Sequence, residues 1–180
     1  VIYGGPPSAN DDLDYIKYEI DWISKVLESN KPFLGICLGA QMLAKNLGGS
    51  VQKSYDLTLE IGFFDINPTG DGHKMFQSQK KFFQWHREGF TVPQSCEILA
   101  KGDLFREQAF RYKNALAIQF HPEVNLKMHL RWLYYAGYML KEKGAQNRRE
   151  QLTHRLKHGK KINLWLDSFL DNYLLKDINS

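Results

Sequence analysis

Lys31-Pro-Phe-Leu-Gly-Ile-Cys-Leu-Gly-Ala-Gln41 is the stretch on which the fold turns. Its apolar run Phe33–Ile36 predicts a short buried strand, and the periodic segment Gln41–Leu47 predicts a helix. Between them stand Gly35 and Gly39, two residues either side of Cys37. A strand–Gly-x-Cys-x-Gly–helix pattern has the logic of a nucleophile elbow. The turn is too tight for bulky neighbours, and it lifts the central residue out of the sheet. The following helix also sets its partial positive charge beside the sulfur, which suits a nucleophile. A lone cysteine is more commonly a small buried apolar residue. The flanking glycines assign Cys37 to chemistry instead.

Upstream, Leu13 to Ser29 predicts a helix, because Ile16, Ile20, Ile23 and Leu27 fall on one face. Asn10, Asp11 and Asp12 offer N-cap chemistry at its start. The Asn30-Lys-Pro32 turn then returns the chain to the elbow strand, a β–α–β unit that implies a parallel sheet. Downstream, Gly48-Gly49 ends the elbow helix. Strands are predicted at Leu57–Ile66, Lys81–His86, Glu97–Lys101, Gln108–Tyr112 and Ala115–Phe120, with a turn at Gly70-Asp-Gly72. They read as an antiparallel extension. From Asn125 the pattern is helical, with breaks near Gly144 and Gly159. In these helices Trp132, Leu133, Tyr138, Leu140, Leu164, Trp165, Phe169, Leu170 and Tyr173 are expected to face the core. The class is therefore α/β: an open, mostly parallel twisted sheet flanked by helices, with a helical C-terminal tail.

A cysteine nucleophile needs a base, and the base an orienting group. The strand Ala115–Phe120 ends in His121-Pro-Glu123, and strand ends are where open α/β sheets present functional groups. Pro122 would fix the backbone so that Glu123 turns back toward the imidazole. With five other histidines in the chain, His121 alone is a weak signal; paired with the elbow it becomes the leading partner. At the start of the chain, Val1-Ile-Tyr-Gly-Gly-Pro-Pro7 predicts a strand end running into a glycine turn. Backbone amides freed by such a turn can serve as an oxyanion hole, although most such turns do nothing more.

These three elements, in this order, resemble the class I (triad-type) glutamine amidotransferases. Glu60-Ile-Gly-Phe63, Phe83-Gln-Trp-His86, Gln119-Phe-His-Pro-Glu123 and the helical tail from Gly144-Ala-Gln-Asn-Arg148 resemble the free-standing branch related to the amidotransferase domain of GMP synthase. The resemblance runs along nearly the whole chain and implies flavodoxin-like layers. It also implies a Cys37–His121–Glu123 triad that hydrolyses the side-chain amide of glutamine through a γ-glutamyl thioester. The oxyanion would lie on the backbone amides of Gly5 and Leu38. Gln41 and His86 match positions lining the glutamine pocket, with Glu60 nearby. No metal and no organic cofactor is required, since thiolate and imidazole supply nucleophile and acid–base.

The chain departs from that pattern in three places. It begins three residues before the glycine loop, where the family carries further strands and a helix, so it is expected to be part of a longer protein. Arg87 stands directly after His86, where the family usually has glycine; so close to the pocket it could pair with a substrate carboxylate, but it is expected to point to solvent. Pro7 lacks a backbone donor, so the oxyanion hole must rely on Gly5.

At 180 residues and 43% hydrophobic, the chain reads as one domain, with about 1–143 as core and 144–180 as a helical C-terminal extension. No apolar run is long enough for a membrane span and no secretory leader is visible. Two cysteines, one in a catalytic-looking turn and Cys96 beside a strand, predict no disulfide and a cytoplasmic setting. The net charge of +4 concentrates in Arg148, Arg149, Arg155, Lys157, Lys160 and Lys161, expected to form a solvated helix face and not a nucleic-acid site. The chain carries no phosphate-binding loop, so a synthetase that takes the ammonia is expected to be a separate polypeptide. Competing readings are a γ-glutamyl hydrolase or transferase acting on another substrate, and a non-catalytic module binding glutamine or a partner. A Cys-elbow hydrolase or chaperone of the wider stress-response family is disfavoured by the Gly-Gly-Pro and His-Pro-Glu motifs.

Overall fold

Side chains alternate across a strand, and the elbow strand shows what that alternation builds. In the computed structural model, which describes residues 1–175, β1 spans Phe33–Ile36 and is buried throughout. Leu34 and Ile36 enter an aromatic-rich core on one face, while Phe33 joins an aliphatic core on the other. Strand β9 (Ala115–Ile118) pairs with β1 in parallel and repeats the division. Leu116 and Ile118 face the aromatic side, Ala115 and Ala117 the aliphatic side. The small alanines let the helices approach closely.

The aliphatic face is covered by α1 (Asp14–Glu28) and α2 (Leu38–Asn46), which pack on each other. Ile16 and Ile23 are fully buried there and Ile20 and Leu27 partly so, as their spacing requires. The start of α1 differs from expectation: its N-cap is Leu13, without a side-chain cap. Asn10 and Asp11 are occupied in the preceding loop instead. Asn10 binds the Val51 carbonyl and Lys45, and Asp11 accepts from the Ser8 amide.

The sheet is mixed. Among the described residues it runs β1-β9-β8-β6-β2, with β8 at Glu107–Tyr112, β6 at Glu88–Thr91 and β2 at Ser50–Lys53. Strand β7 (Glu97–Lys101) also pairs with β8, and the short β4 (Asn67–Pro68) with β7. Among the described residues parallel pairing occurs at β1/β9 and at the bridges Ile2–Gly35 and Ile61–Ala145, and the other strands of this sheet pair antiparallel. Strand β9, expected in the antiparallel run, pairs in parallel with β1 because packing sets it beside the elbow strand. A separate ribbon joins β3 (Glu60–Asp65) to β5 (Lys81–His86). The Gly70-Asp-Gly72 turn leads into a single helical turn, α3 (Gly72–Met75).

On the aromatic side, Phe82 stacks on Phe120 at 4.1 Å between ring centroids, and Trp165 meets Phe76, Phe82 and Phe120. Trp165 Nε1 also donates to the Met75 carbonyl over 2.8 Å, which ties α5 (Arg148–Phe169) to the core. Asn147 and Glu150 form a reciprocal capping box at the start of α5. The helix runs unbroken through Gly159, contrary to the expected break there. A mid-helix glycine costs only about 1 kcal/mol, and Arg155 and Ile162, buried on either side of it, hold the helix in place. Before it, α4 (Leu126–Tyr135) passes into a 3-10 turn at Gly137–Lys141. Of the residues expected in the core here, Leu133, Trp165 and Phe169 are buried, but Tyr138, Leu164 and Tyr173 are exposed. Arg155 departs in the other direction: it is buried, not part of a solvated face. No described helix is long and apolar enough to cross a membrane.

Candidate active site

Cys37 occupies the single-residue hinge between β1 and α2, with φ 50° and ψ −103°. That left-handed backbone is unfavourable for a non-glycine residue and is held by its surroundings. The Cys37 amide donates to the Ile118 carbonyl over 2.8 Å, which pins the elbow to β9. Close packing explains the glycines. A Cβ on Gly39 would stand 2.2 Å from the Ile2 carbonyl oxygen, and one on Gly35 would stand 2.6 Å from that of Gly39. Ile2 is stitched to β1 by two hydrogen bonds of 2.9 Å, to Leu34 and from Ile36. The same stitching carries the following Gly4-Gly5 loop to the elbow.

Strand β9 delivers the histidine. Beyond it, the His121 amide donates to the Phe83 carbonyl over 2.8 Å and the ring is buried. Nδ1 lies 2.7 Å from Glu123 Oε1, the carboxylate turned back across Pro122. Burial disfavours the charged ring, but the negative charges of Cys37 and Glu123 outweigh it, so His121 is pushed up from 6.5 to about 10. Trp132 closes one side of the ring edge-on at 5.0 Å. Gly4 closes another: a Cβ there would fall 2.5 Å from His121 Cε1 and 3.2 Å from Cys37 Cβ. The sulfur, the imidazole and the glycine loop are thus brought to one point. Gly4→Ala is expected to displace the His121 ring and lower kcat by about 100-fold, with thermal unfolding close to that of the unsubstituted protein. An activity assay and a melting curve on the same sample check both halves.

These groups open into a cleft of about 500 Å³. Gly5, Cys37, Leu38, Gln41, His86 and His121 all line it. Among the described residues no acceptor takes the Gly5 amide, and Leu38 is the first residue of its helix, with no partner within that helix. Both expected oxyanion donors therefore stand free at the cleft. Glu60 is placed differently: it lies behind His86, with Oε2 3.0 Å from His86 Nε2, and does not reach the wall. A buried polar network supports this side. Gln84 donates to Gln108 over 2.7 Å, Gln108 donates to Glu60 over 2.9 Å, and His86 Nδ1 lies 3.0 Å from the Glu88 carbonyl. Gln41 donates to the same carbonyl over 2.9 Å.

Two contributors to the site, Gln119 and Trp132, escape sequence reasoning. Gln119 Nε2 reaches the Cys37 sulfur at 3.6 Å and Gln41 reaches back to Gln119. Trp132 caps the histidine. Arg87 is exposed, as expected, and lies at the cleft mouth, where its Nη2 reaches the Pro6 carbonyl at 3.5 Å. The alternation of β9 could have flagged Gln119, one residue past a strand whose neighbours are all apolar. Trp132 carries no local signal, since α4 meets the site only through tertiary packing. Among the described residues no cluster of three or more His, Cys, Asp or Glu has metal-site geometry.

A cysteine on a strand-to-helix hinge, beside a buried histidine backed by a carboxylate, is the arrangement of a thiol-dependent acyl-transfer site on an α/β sheet. The chain belongs to the glutamine amidotransferase class-I family, whose model matches residues 1–136. It is 34% identical over 126 residues to a glutamine-hydrolyzing GMP synthase subunit of Sulfurisphaera tokodaii, covering 67% of this chain and 64% of that protein. Gamma-glutamyl peptidase 4 of Arabidopsis thaliana is 31% identical over 133 residues, covering 69% of this chain and 53% of that one. Among solved structures, a glutamine amidotransferase from Thermotoga maritima matches with a TM-score of 0.85 at 31% identity, covering 95% of this chain and 75% of that one. The match to these two curated relatives thus spans less than two thirds of their length.

Proposed function

We propose that the protein hydrolyses the side-chain amide of glutamine and releases ammonia for a separate synthetase. The observation that carries this reading is the 2.7 Å His121–Glu123 contact set behind Cys37, with the Gly5 and Leu38 amides free across the cleft. In this mechanism Cys37 Sγ attacks the amide carbon with its proton already carried by His121. The oxyanion of the tetrahedral intermediate accepts hydrogen bonds from Gly5 and Leu38, each worth about 3 kcal/mol to the transition state. His121 returns its proton to the departing nitrogen, and ammonia leaves a γ-glutamyl thioester on Cys37. Water then attacks the thioester, its proton passing through His121 to the sulfur, and glutamate departs. Gln41 and His86 form the substrate-facing wall, and Glu60 and Gln108 hold His86 from behind.

A second reading has its own support. The cleft extends past the reacting groups to Trp85, Trp132, Tyr135, Tyr138 and Met139, with Arg87 and Arg131 at its edge. Neither arginine has a carboxylate partner among the described residues. Such a half-site suits a γ-glutamyl amide whose leaving group is apolar and carries a carboxylate, and a relative named as a γ-glutamyl peptidase lies among the matches. One assay separates the two: kcat/KM for glutamate release from glutamine and from γ-glutamyl-phenylalanine. Preference for glutamine is expected. A dipeptide preference would move the assignment to the second reading, and silence on both would overturn both.

A further inference from the structure

One residue past β9, Gln119 is sealed in the interior with its side-chain amide against the candidate nucleophile. It is fully buried, and its backbone amide donates to the Gln108 carbonyl over 2.8 Å, which fixes where the side chain starts. Nε2 lies 3.6 Å from Cys37 Sγ, a separation that suits an N–H···S bond because sulfur is larger than oxygen. Oε1 lies 3.4 Å from Gln41 Nε2.

An amide can present either end, and its neighbours decide which. The Glu88 carbonyl can only accept, so Gln41, 2.9 Å away, must turn Nε2 toward it. The second hydrogen of that NH2 group faces Gln119 Oε1. Gln119 is thereby left with its own NH2 toward the sulfur. Turning Gln119 over would set two NH2 groups against each other and lose both bonds. The orientation is thus relayed from a backbone carbonyl of β6, through two buried amides, to the reacting atom.

An amide NH2 group cannot accept a hydrogen bond. The Cys37 thiol therefore finds no acceptor at this end of Gln119, and its proton is directed to His121. Once the proton has moved, the N–H faces a negative sulfur, and a hydrogen bond to a charged acceptor is stronger than one to a neutral acceptor. Acylation removes that charge, and expulsion of the thiolate from the thioester restores it. The titratable and charged groups around the sulfur are His121, backed by Glu123, with His86, Arg87, Glu88 and Arg131 on the cleft walls. All of them are retained in the variants below, so a change reports the amide.

We propose that Gln119 is a catalytic residue that donates its side-chain N–H to the Cys37 sulfur, and that Gln41 is the positioning residue that sets which end of the amide it presents. This role rests on the Cys37–His121–Glu123 reading above and gives Gln41 a task besides facing substrate. The simpler explanation, two buried amides satisfying one another in the core, predicts loss of stability only.

The test is the pH profile of Cys37 alkylation by iodoacetamide, read by mass spectrometry, which needs no substrate and separates Cys37 from Cys96. Gln119→Met keeps the length of the side chain and removes the donor. The acid limb of the profile is expected to move up by about one pH unit. Gln41→Met leaves the Gln119 amide free to turn over and is expected to move the limb the same way by about half as much. With Gln119→Met already in place, Gln41→Met is expected to add nothing. A folded Gln119→Met protein with an unmoved limb would overturn the proposal, as would equal shifts from Gln41→Met in both backgrounds. Should Gln119→Met fail to fold, Gln41→Met decides alone, and an unmoved limb there overturns the proposal. A Gln119-dependent limb without glutamine hydrolysis would uphold this role and refute the glutaminase alone. Absence of selective Cys37 alkylation would refute the nucleophile and this role with it.

Discussion

Cys37→Ala is expected to lower glutamate release from glutamine by about 10⁴-fold or more, while glutamine binding stays measurable by calorimetry. The substitution removes the atom that would bond to the amide carbon, and no neighbour is placed to replace it. Gln119, the side chain 3.6 Å from the sulfur, is an amide and no nucleophile. The cleft wall should survive. Gln41 and His86 hold their positions through the Glu88 carbonyl and the Glu60–Gln108 network, none of which passes through the thiol. The Cys37 amide bond to Ile118 belongs to the backbone and is retained as well. Alanine at φ 50° carries about the same backbone strain as cysteine, so unfolding should shift little. Full activity in Cys37→Ala would refute the thioester mechanism. Loss of both turnover and binding would mean that the sulfur itself organises the cleft.

How far the sequence goes is clearest at the elbow. Strand, cysteine, flanking glycines and helix are contiguous, so their spacing alone encodes the hinge and the packing at Gly39. The apolar runs of β1 and β9 were readable as strands, but their parallel pairing with each other was not. Strands β2 and β6 were not: Ser50–Lys53 and Glu88–Thr91 mix polar and apolar residues, and only mutual pairing makes them a ribbon. The helical tail shows the opposite failure. Periodicity placed Tyr138, Leu164 and Tyr173 in the core and Arg155 outside it, because hydropathy describes a residue and not the surface it meets. Arg155 lies inward because Phe63 and Phe83 offer ring faces to its guanidinium. Gly159 stays helical because buried neighbours on α5 outweigh its propensity. The site divides along the same line. Residues adjacent in sequence to a motif were legible, while Gln119, Trp132 and the position of Glu60 behind His86 depend on contacts between distant segments.

Glu123→Gln is expected to lower kcat by about 10³-fold and to draw in the alkaline limb of activity. Burial of His121 favours the neutral ring; two negative charges, Cys37 and Glu123, overcome it and raise the group to about 10. Glutamine keeps the shape and one hydrogen bond but takes away one of those charges. The imidazolium that must protonate departing ammonia then loses its proton at lower pH, so the limb moves down from about 10. An amide also presents either oxygen or nitrogen to Nδ1, which allows the wrong tautomer. Stability carries the same signature with its sign fixed by linkage. A group raised in the folded state stabilises fully below its unfolded value near 6.5 and loses that contribution as pH climbs toward about 10. The unsubstituted protein should therefore lose stability across that interval, and Glu123→Gln should lose less. Melting curves across the same interval on both proteins measure the difference. Equal slopes, together with an unmoved alkaline limb, would show that Glu123 shapes the loop and leaves the charge of His121 to the thiol alone.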